Sequence, residues 1–315
     1  TPRKILWAAT AAVVALVGMF AAANRIERSV EALTYNDPIV YYQQTAYQKV
    51  VLTQYQDDLR LYLNGQLQFS SLDEARYHET LSASAMTSVK DPAHVLVLGG
   101  GDGLLAREIL RYPSVKDVTI VDIDPGVTEL ARSNRLLKDL NKASLSDPRV
   151  NVVNDDAFTY VRDSRATYDV VLVDLVDPSN EKLAKLYSTE FYRNVEARLA
   201  PEGVMVTQAT STFFSPHAFS TVASTVATSQ PDRQILPFST NIPSFGEWGF
   251  VLSTRTPQNL ISQPLPEGLT YQDRETLEFI MRTKPARTET MEPSTLLHPR
   301  IVEVYNRDMR QWRYY

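Results

Sequence analysis

Five aspartates suit this chain to chemistry on a cation. Asp102, Asp122, Asp156, Asp174 and Asp177 each follow a short apolar, β-prone run: VLVL (95–98), VTIV (118–121), VNVV (150–153) or VVLV (170–173). A carboxylate so placed attracts cations and, beside a reacting amine, accepts its proton. The first run leads into Gly99-Gly100-Gly101-Asp102-Gly103, and Gly101-x-Gly103-x-x-Ala106 fits a loose nucleotide-binding fingerprint. Glycines let backbone turn sharply and approach a ligand closely. Asp122 stands about 20 residues further on, where an acidic residue holds ribose hydroxyls. Taken singly, each aspartate could equally be a helix cap. Five in one crevice repel one another unless a cation lies among them. No lysine or arginine stands at these strand ends, which points to a cationic ligand. A dinucleotide pyrophosphate fits that field badly. A sulfonium nucleoside, S-adenosylmethionine or its decarboxylated form, fits it well.

Such convergence requires a parallel sheet. Five apolar runs, the four above and VMVT (204–207), alternate with helical stretches such as LLAREILRY and VTELARSNRLLKDL. Continuous apolar strands between helices predict an α/β, doubly wound, Rossmann-like sheet of the methyltransferase type over 91–256, covered on both faces. Phe250-Val251-Leu252-Ser253 suggests a further strand. Upstream, short β-like runs between Ile39 and Phe69, with Asn64-Gly65 as a hairpin turn, predict a small antiparallel unit within residues 25–90. Asp73 to Met86 reads as a helix, and residues 24–36 as a polar connector. The tail, 257–315, is Pro-rich and polar, with helices expected near 272–283 and 299–312.

Composition narrows the classes. The 315 residues carry a net charge of −5, which argues against nucleic acid. With no cysteine and four scattered histidines, no metal site is expected. Ile5 to Ala23 is an uncharged run of 19 residues. As a helix it would span about 28 Å, close to a hydrocarbon core. A signal peptide or a buried helix would be the other readings. The expectation is a transmembrane helix over 1–24, the end of a longer membrane region. It would place the protein at the cell inner membrane, with its catalytic part facing the cytoplasm.

Spread over residues 47–253, an ordered set of motifs resembles the spermidine synthase (polyamine aminopropyltransferase) family. Tyr47-Gln48, Asn64-Gly65-Gln66-Leu67-Gln68, Asp73-Glu74-Ala75-Arg76-Tyr77-His78-Glu79, Gly99 to Gly103, Asp122-Ile123-Asp124 and Asp174-x-x-Asp177-Pro178 carry the likeness. Arg310-Gln311-Trp312-Arg313 is similar to the tails of members fused to membrane helices. The resemblance implies that Gln48, Gly100, Gly101, Asp102, Asp122, Asp156 and Ala157 bind decarboxylated S-adenosylmethionine as co-substrate, with no prosthetic group. It makes Asp174 the catalytic base, helped by Tyr77, and gives His78, Gln68, Asp174 and Asp177 the acceptor amine. A homodimer through the N-terminal β units is implied as well. The Tyr-rich stretch Tyr41, Tyr42, Tyr47, Tyr55 and Tyr62 is assigned to packing alone.

The chemistry is coherent by itself. An amine with a pKa near 10 is mostly protonated at pH 7 and must lose a proton to attack the carbon beside the sulfonium. A cleft carboxylate first draws in that cation, then takes the proton. Departures fall on the acceptor side. Leu175 and Val176 stand where the family usually has Ser or Thr, and the late Tyr-Pro-x-G reads Ile242-Pro243-Ser244-Phe245-Gly246. Two other readings stay open: an S-adenosylmethionine-dependent methyltransferase, and a non-catalytic polyamine or nucleoside sensor.

Overall fold

A computed structural model describes residues 4, 7, 10–19, 35–257 and 260–312. Two sheets form its frame. The smaller is antiparallel, in the order β1 (Ile39–Gln44), β2 (Lys49–Tyr55), β3 (Asp58–Leu63), β4 (Gln66–Ser70). The Asn64-Gly65 turn has φ of 51° and 80°, the left-handed pair that a tight hairpin requires. Helix α1 (Glu74–Met86) follows and packs across the larger sheet.

The larger sheet has seven strands: β5 (His94–Gly99), β6 (Asp117–Val121), β7 (Val150–Val153), β8 (Tyr168–Asp174), β9 (Leu199–Ser211), β10 (Gln234–Ile242) and β11 (Gly246–Thr254). Their spatial order is β10-β11-β9-β8-β5-β6-β7. The first five are parallel, and β11 pairs antiparallel with β9 and β10. Val95 to Leu98 and Val170 to Val173 are fully buried because helices cover both faces. The Rossmann-like sheet expected over 91–256 is therefore present, as a mixed rather than purely parallel one.

Strand β10 is not among the strands expected from sequence. Pro237 argues against a strand, since it cannot donate to a ladder. Here it lies opposite Val251 in an edge strand, where one side needs no partner. The tail forms helices at Arg274–Arg282 and Arg300–Arg310, inside the expected ranges.

The expected membrane anchor and inner-membrane location are corrected. Among the described residues no helix is long and apolar enough to cross a membrane. Residues 10–19 are helical and exposed. Lys4 and Trp7 are helical too; the other residues of the expected span, and the connector apart from residues 35–36, lie outside the described residues.

The sheet reverses direction of winding between β5 and β8, which pair in parallel with Gly99 opposite Asp174. A crevice opens at that switch point. Gly99 has a φ of +87°, and a Cβ there would lie 2.0 Å from the Asp174 carbonyl oxygen. Gly65, at φ +80°, has nothing within 4 Å of such a Cβ. Gly99→Ala is expected to cost about 3 kcal/mol or more of stability, and Gly65→Ala only about 1 kcal/mol. Equal shifts of the urea midpoint would contradict this reading of the switch point.

Candidate active site

All twelve residues proposed from sequence line one cleft of about 620 Å³: Gln48, Gln68, Tyr77, His78, Gly100, Gly101, Asp102, Asp122, Asp156, Ala157, Asp174 and Asp177. The small sheet covers the carboxyl edge of the large one. Its β1–β2 turn is tied there by Thr45 Oγ1 and Gln48 Nε2, which donate to Asp124 Oδ2 at 2.8 and 3.0 Å. Asp124 is fully buried and also caps the helix Pro125–Ser133. Asp124 is a residue to which the sequence motifs assign no role of its own. Tyr47, assigned only to packing, is exposed and lines the cleft.

Three of the strand-end carboxylates, Asp102, Asp122 and Asp156, hold backbone as well as face the cleft. Asp102 Oδ1 accepts from Leu104 N at 2.9 Å. Asp122 accepts from Asp124 N and Gly101 N at 2.9 and 3.0 Å. A Cβ on Gly101 would lie 2.4 Å from Asp122 Oδ2, so only glycine permits that bond. Asp156 caps the helix Ala157–Asp163 through Thr159 N. Capping and cleft lining are thus two uses of the same side chains.

The expectation that no basic residue meets these carboxylates fails for Asp156. Lys185 Nζ lies 2.5 Å from Asp156 Oδ2. Burial pushes Asp156 up, but the Lys185 and Thr159 bonds outweigh it and hold the carboxyl low. Among the described residues, no lysine or arginine pairs with Asp102, Asp122, Asp174 or Asp177. Burial pushes Asp122, Asp174 and Asp177 up to about 6 and raises Asp102 as well. These four keep an unbalanced negative field.

Two consecutive residues of α1, Tyr77 and His78, stand behind Asp174. Tyr77 donates its hydroxyl to Asp174 Oδ1 at 2.5 Å, and the phenol is held well above its usual pKa by burial and by that carboxylate. His78, one residue on, is buried, and its Nδ1 donates to Glu74 Oε2 at 2.8 Å. Burial opposes the imidazolium, but the Glu74 bond and charge win and raise His78 to about 9. Burial likewise opposes the Glu74 carboxylate, yet His78 and Arg107 bring it to about 2. Arg107 Nη2 holds Glu74 at 2.9 Å. His78 is therefore a fixed cation that tempers Asp102 and Asp174. The Glu74–His78 spacing of four on one helix was a signal in the sequence; Arg107 gave none.

Asp177 marks the other end. Its Oδ2 accepts from Tyr305 Oη at 2.9 Å, while its Oδ1 is buried without a hydrogen-bond partner among the described residues. Gln208 Nε2, nearby, donates instead to the Leu175 carbonyl and to Tyr187 Oη. Leu175, Val176, Phe245 and Trp248 add an apolar wall. The cleft thus offers a carboxylate able to take a proton between a glycine-lined half and an apolar-walled pocket ending in a second carboxylate.

The comparisons agree with this geometry. The Spermine/spermidine synthase domain matches residues 74–263. The polyamine aminopropyltransferase of Oceanobacillus iheyensis is 42% identical over 282 residues, which cover 88% of this chain and 55% of that protein. Polyamine aminopropyltransferase 1 of Streptomyces coelicolor is 41% identical over 320 residues, 98% of this chain and 59% of that protein. The chain thus spans under two thirds of the length of these curated relatives. A crystal structure of spermidine synthase in complex with the transition-state analogue AdoDATO superimposes with a TM-score of 0.72 at 24% identity, over 78% of this chain and 85% of that one. Spermidine synthase from Thermotoga maritima does so at 0.69 and 23%, with the same coverage. At such identity these two likenesses are likenesses of fold. The matched segment covers more than half of the chain and contains the glycine loop, Tyr77 and both Asp174 and Asp177, and the chain belongs to the spermine/spermidine synthase family.

Proposed function

We propose that the cleft moves an aminopropyl group from decarboxylated S-adenosylmethionine to an amine acceptor, releasing methylthioadenosine. The observation that carries this is Asp174, held by Tyr77 at 2.5 Å in a cleft whose other aspartates, Asp156 excepted, pair with no lysine or arginine among the described residues. The names of the relatives support the same transfer. Gly100, Gly101 and Asp122 would seat the ribose, Asp156 and Ala157 the adenine, and Gln48 and Asp102 the aminopropyl ammonium. Asp174 would accept the proton of the attacking amine, and Asp177, His78 and Gln68 would line the acceptor. A methionine carboxylate would meet Asp102, which disfavours S-adenosylmethionine as a methyl donor.

The bond changes balance simply. The amine lone pair forms the new N–C bond as the C–S bond breaks, and the sulfonium leaves as a neutral thioether. The surplus ammonium proton passes to Asp174. Much of the acceleration comes from holding nitrogen in line, roughly 3–3.5 Å from carbon. Division of the chain into a sheet unit ending near residue 90, a catalytic unit over 91–256 and a tail over 257–315 belongs to this reading. So does a homodimer; exposed Val40 and Tyr55 on the small sheet support a partner there.

Three outcomes are expected. Asp174→Asn should lower kcat by roughly 10²–10⁴-fold while donor binding, read by calorimetry, stays near wild type; normal turnover would sink the assignment. Asp174 works only when ionised, so kcat/KM should rise with pH through about 6; a flat profile between pH 5 and 7 would count against it. The ligand-free protein should also gain stability as pH falls. Raised carboxylates cost stability above their folded pKa, so the protein recovers it as pH drops through about 6 toward the ordinary aspartate value. The raised His78 adds stability fully present below about 6.5 and lost as pH climbs through about 9. A melting temperature that falls steadily from pH 9 to 5.5 would contradict this balance.

A further inference from the structure

The family-matched segment ends at residue 263, yet one contact with the cleft comes from beyond it. Helix Arg300–Arg310 lies against the helix Pro216–Ser229. Its Asp308, almost wholly buried, accepts from His217 N, Ala218 N and His217 Nδ1 at 2.9, 3.1 and 2.8 Å. Asp308 thereby caps the neighbouring helix from another part of the chain. Ile301 is fully buried beneath the same helix. These contacts fix its rotation about its own axis, and with it the two residues that face the loop after β8. Tyr305, buried, donates to Asp177 Oδ2 at 2.9 Å, and Asn306 Nδ2 donates to the Ser179 carbonyl at 3.2 Å. Tyr305 does not line the cleft; it stands behind Asp177.

We infer that Tyr305 is a positioning residue for acceptor choice: by donating to Asp177 Oδ2 it fixes, at the end of the cleft, the carboxylate that meets the second ammonium of a diamine. This inference rests on the acceptor half of the reading above, but not on turnover. A phenol bond to a carboxylate restrains its rotation and favours its charged form. Both effects act on recognition of a second cationic nitrogen. Neither acts on the nitrogen that attacks, which meets Asp174.

Binding of 1,4-diaminobutane and of 1-aminobutane is measured by calorimetry on the full 315-residue chain, with methylthioadenosine release measured alongside. Tyr305→Phe keeps the buried ring and removes only the donor. It is expected to weaken diamine binding roughly tenfold and to leave monoamine binding and saturated kcat nearly unchanged. Asp177→Asn should weaken the diamine in the same way, and adding Tyr305→Phe to it should cost little more. Diamine affinity unchanged in Tyr305→Phe, equal losses for both amines, or a wild type with no preference for the diamine would each overturn the inference. Selective loss of the diamine in a protein that releases no methylthioadenosine would sustain the inference and sink aminopropyl transfer. Release with an unaltered diamine affinity in the variant would do the reverse.

Discussion

Negative charge concentrated at the carboxyl edge of a parallel sheet is the constraint around which this molecule is organised. Carboxylates gathered in a low-dielectric crevice disfavour one another's ionised forms, and burial adds to that cost. The fold meets the constraint with fixed donors. Backbone N–H groups from Gly101, Leu104 and Asp124 hold Asp102 and Asp122, a phenol holds Asp174, another holds Asp177, and Lys185 holds Asp156. His78, kept charged by Glu74, tempers the centre. What remains uncompensated is the pull on a mobile cation, and a sulfonium donor with an ammonium acceptor would supply it.

Rigid elements hold this field in place. Gly99 lets β5 pass within contact of the Asp174 carbonyl, so the glycine loop and Asp174 share one strand pair. Asp124 pins the small sheet over the crevice through Thr45 and Gln48. The tail braces the far end through Asp308 and Tyr305. A site so supported carries Asp102, Asp122, Asp174 and Tyr77 on strand ends and one long helix rather than on free loops, which would suit the proposed reaction's in-line geometry.

Much of this was legible in the sequence because its signals are local. Strands buried on both faces read as unbroken Val/Ile/Leu runs, and the Asn64-Gly65 turn announced its hairpin. Aspartates after successive parallel strands must converge, so their common cleft followed from strand order. Partners distant along the chain were not legible. Lys185 lies 29 positions from Asp156 and Tyr305 lies 128 from Asp177, and neither has a periodicity to betray it. Pro237 concealed β10 because composition does not tell an edge strand from an interior one. The apolar run at 5–23 predicted a span that the described residues do not form. Apolarity alone does not distinguish the uses of a helix.

Aminopropyl transfer is tested most directly by incubating the chain with decarboxylated S-adenosylmethionine and a panel of primary amines and diamines, and measuring methylthioadenosine. The charge distribution of the cleft predicts release in step with a new secondary amine. Methyl transfer from S-adenosylmethionine to the same amines, or failure to bind the decarboxylated donor at all, would contradict it.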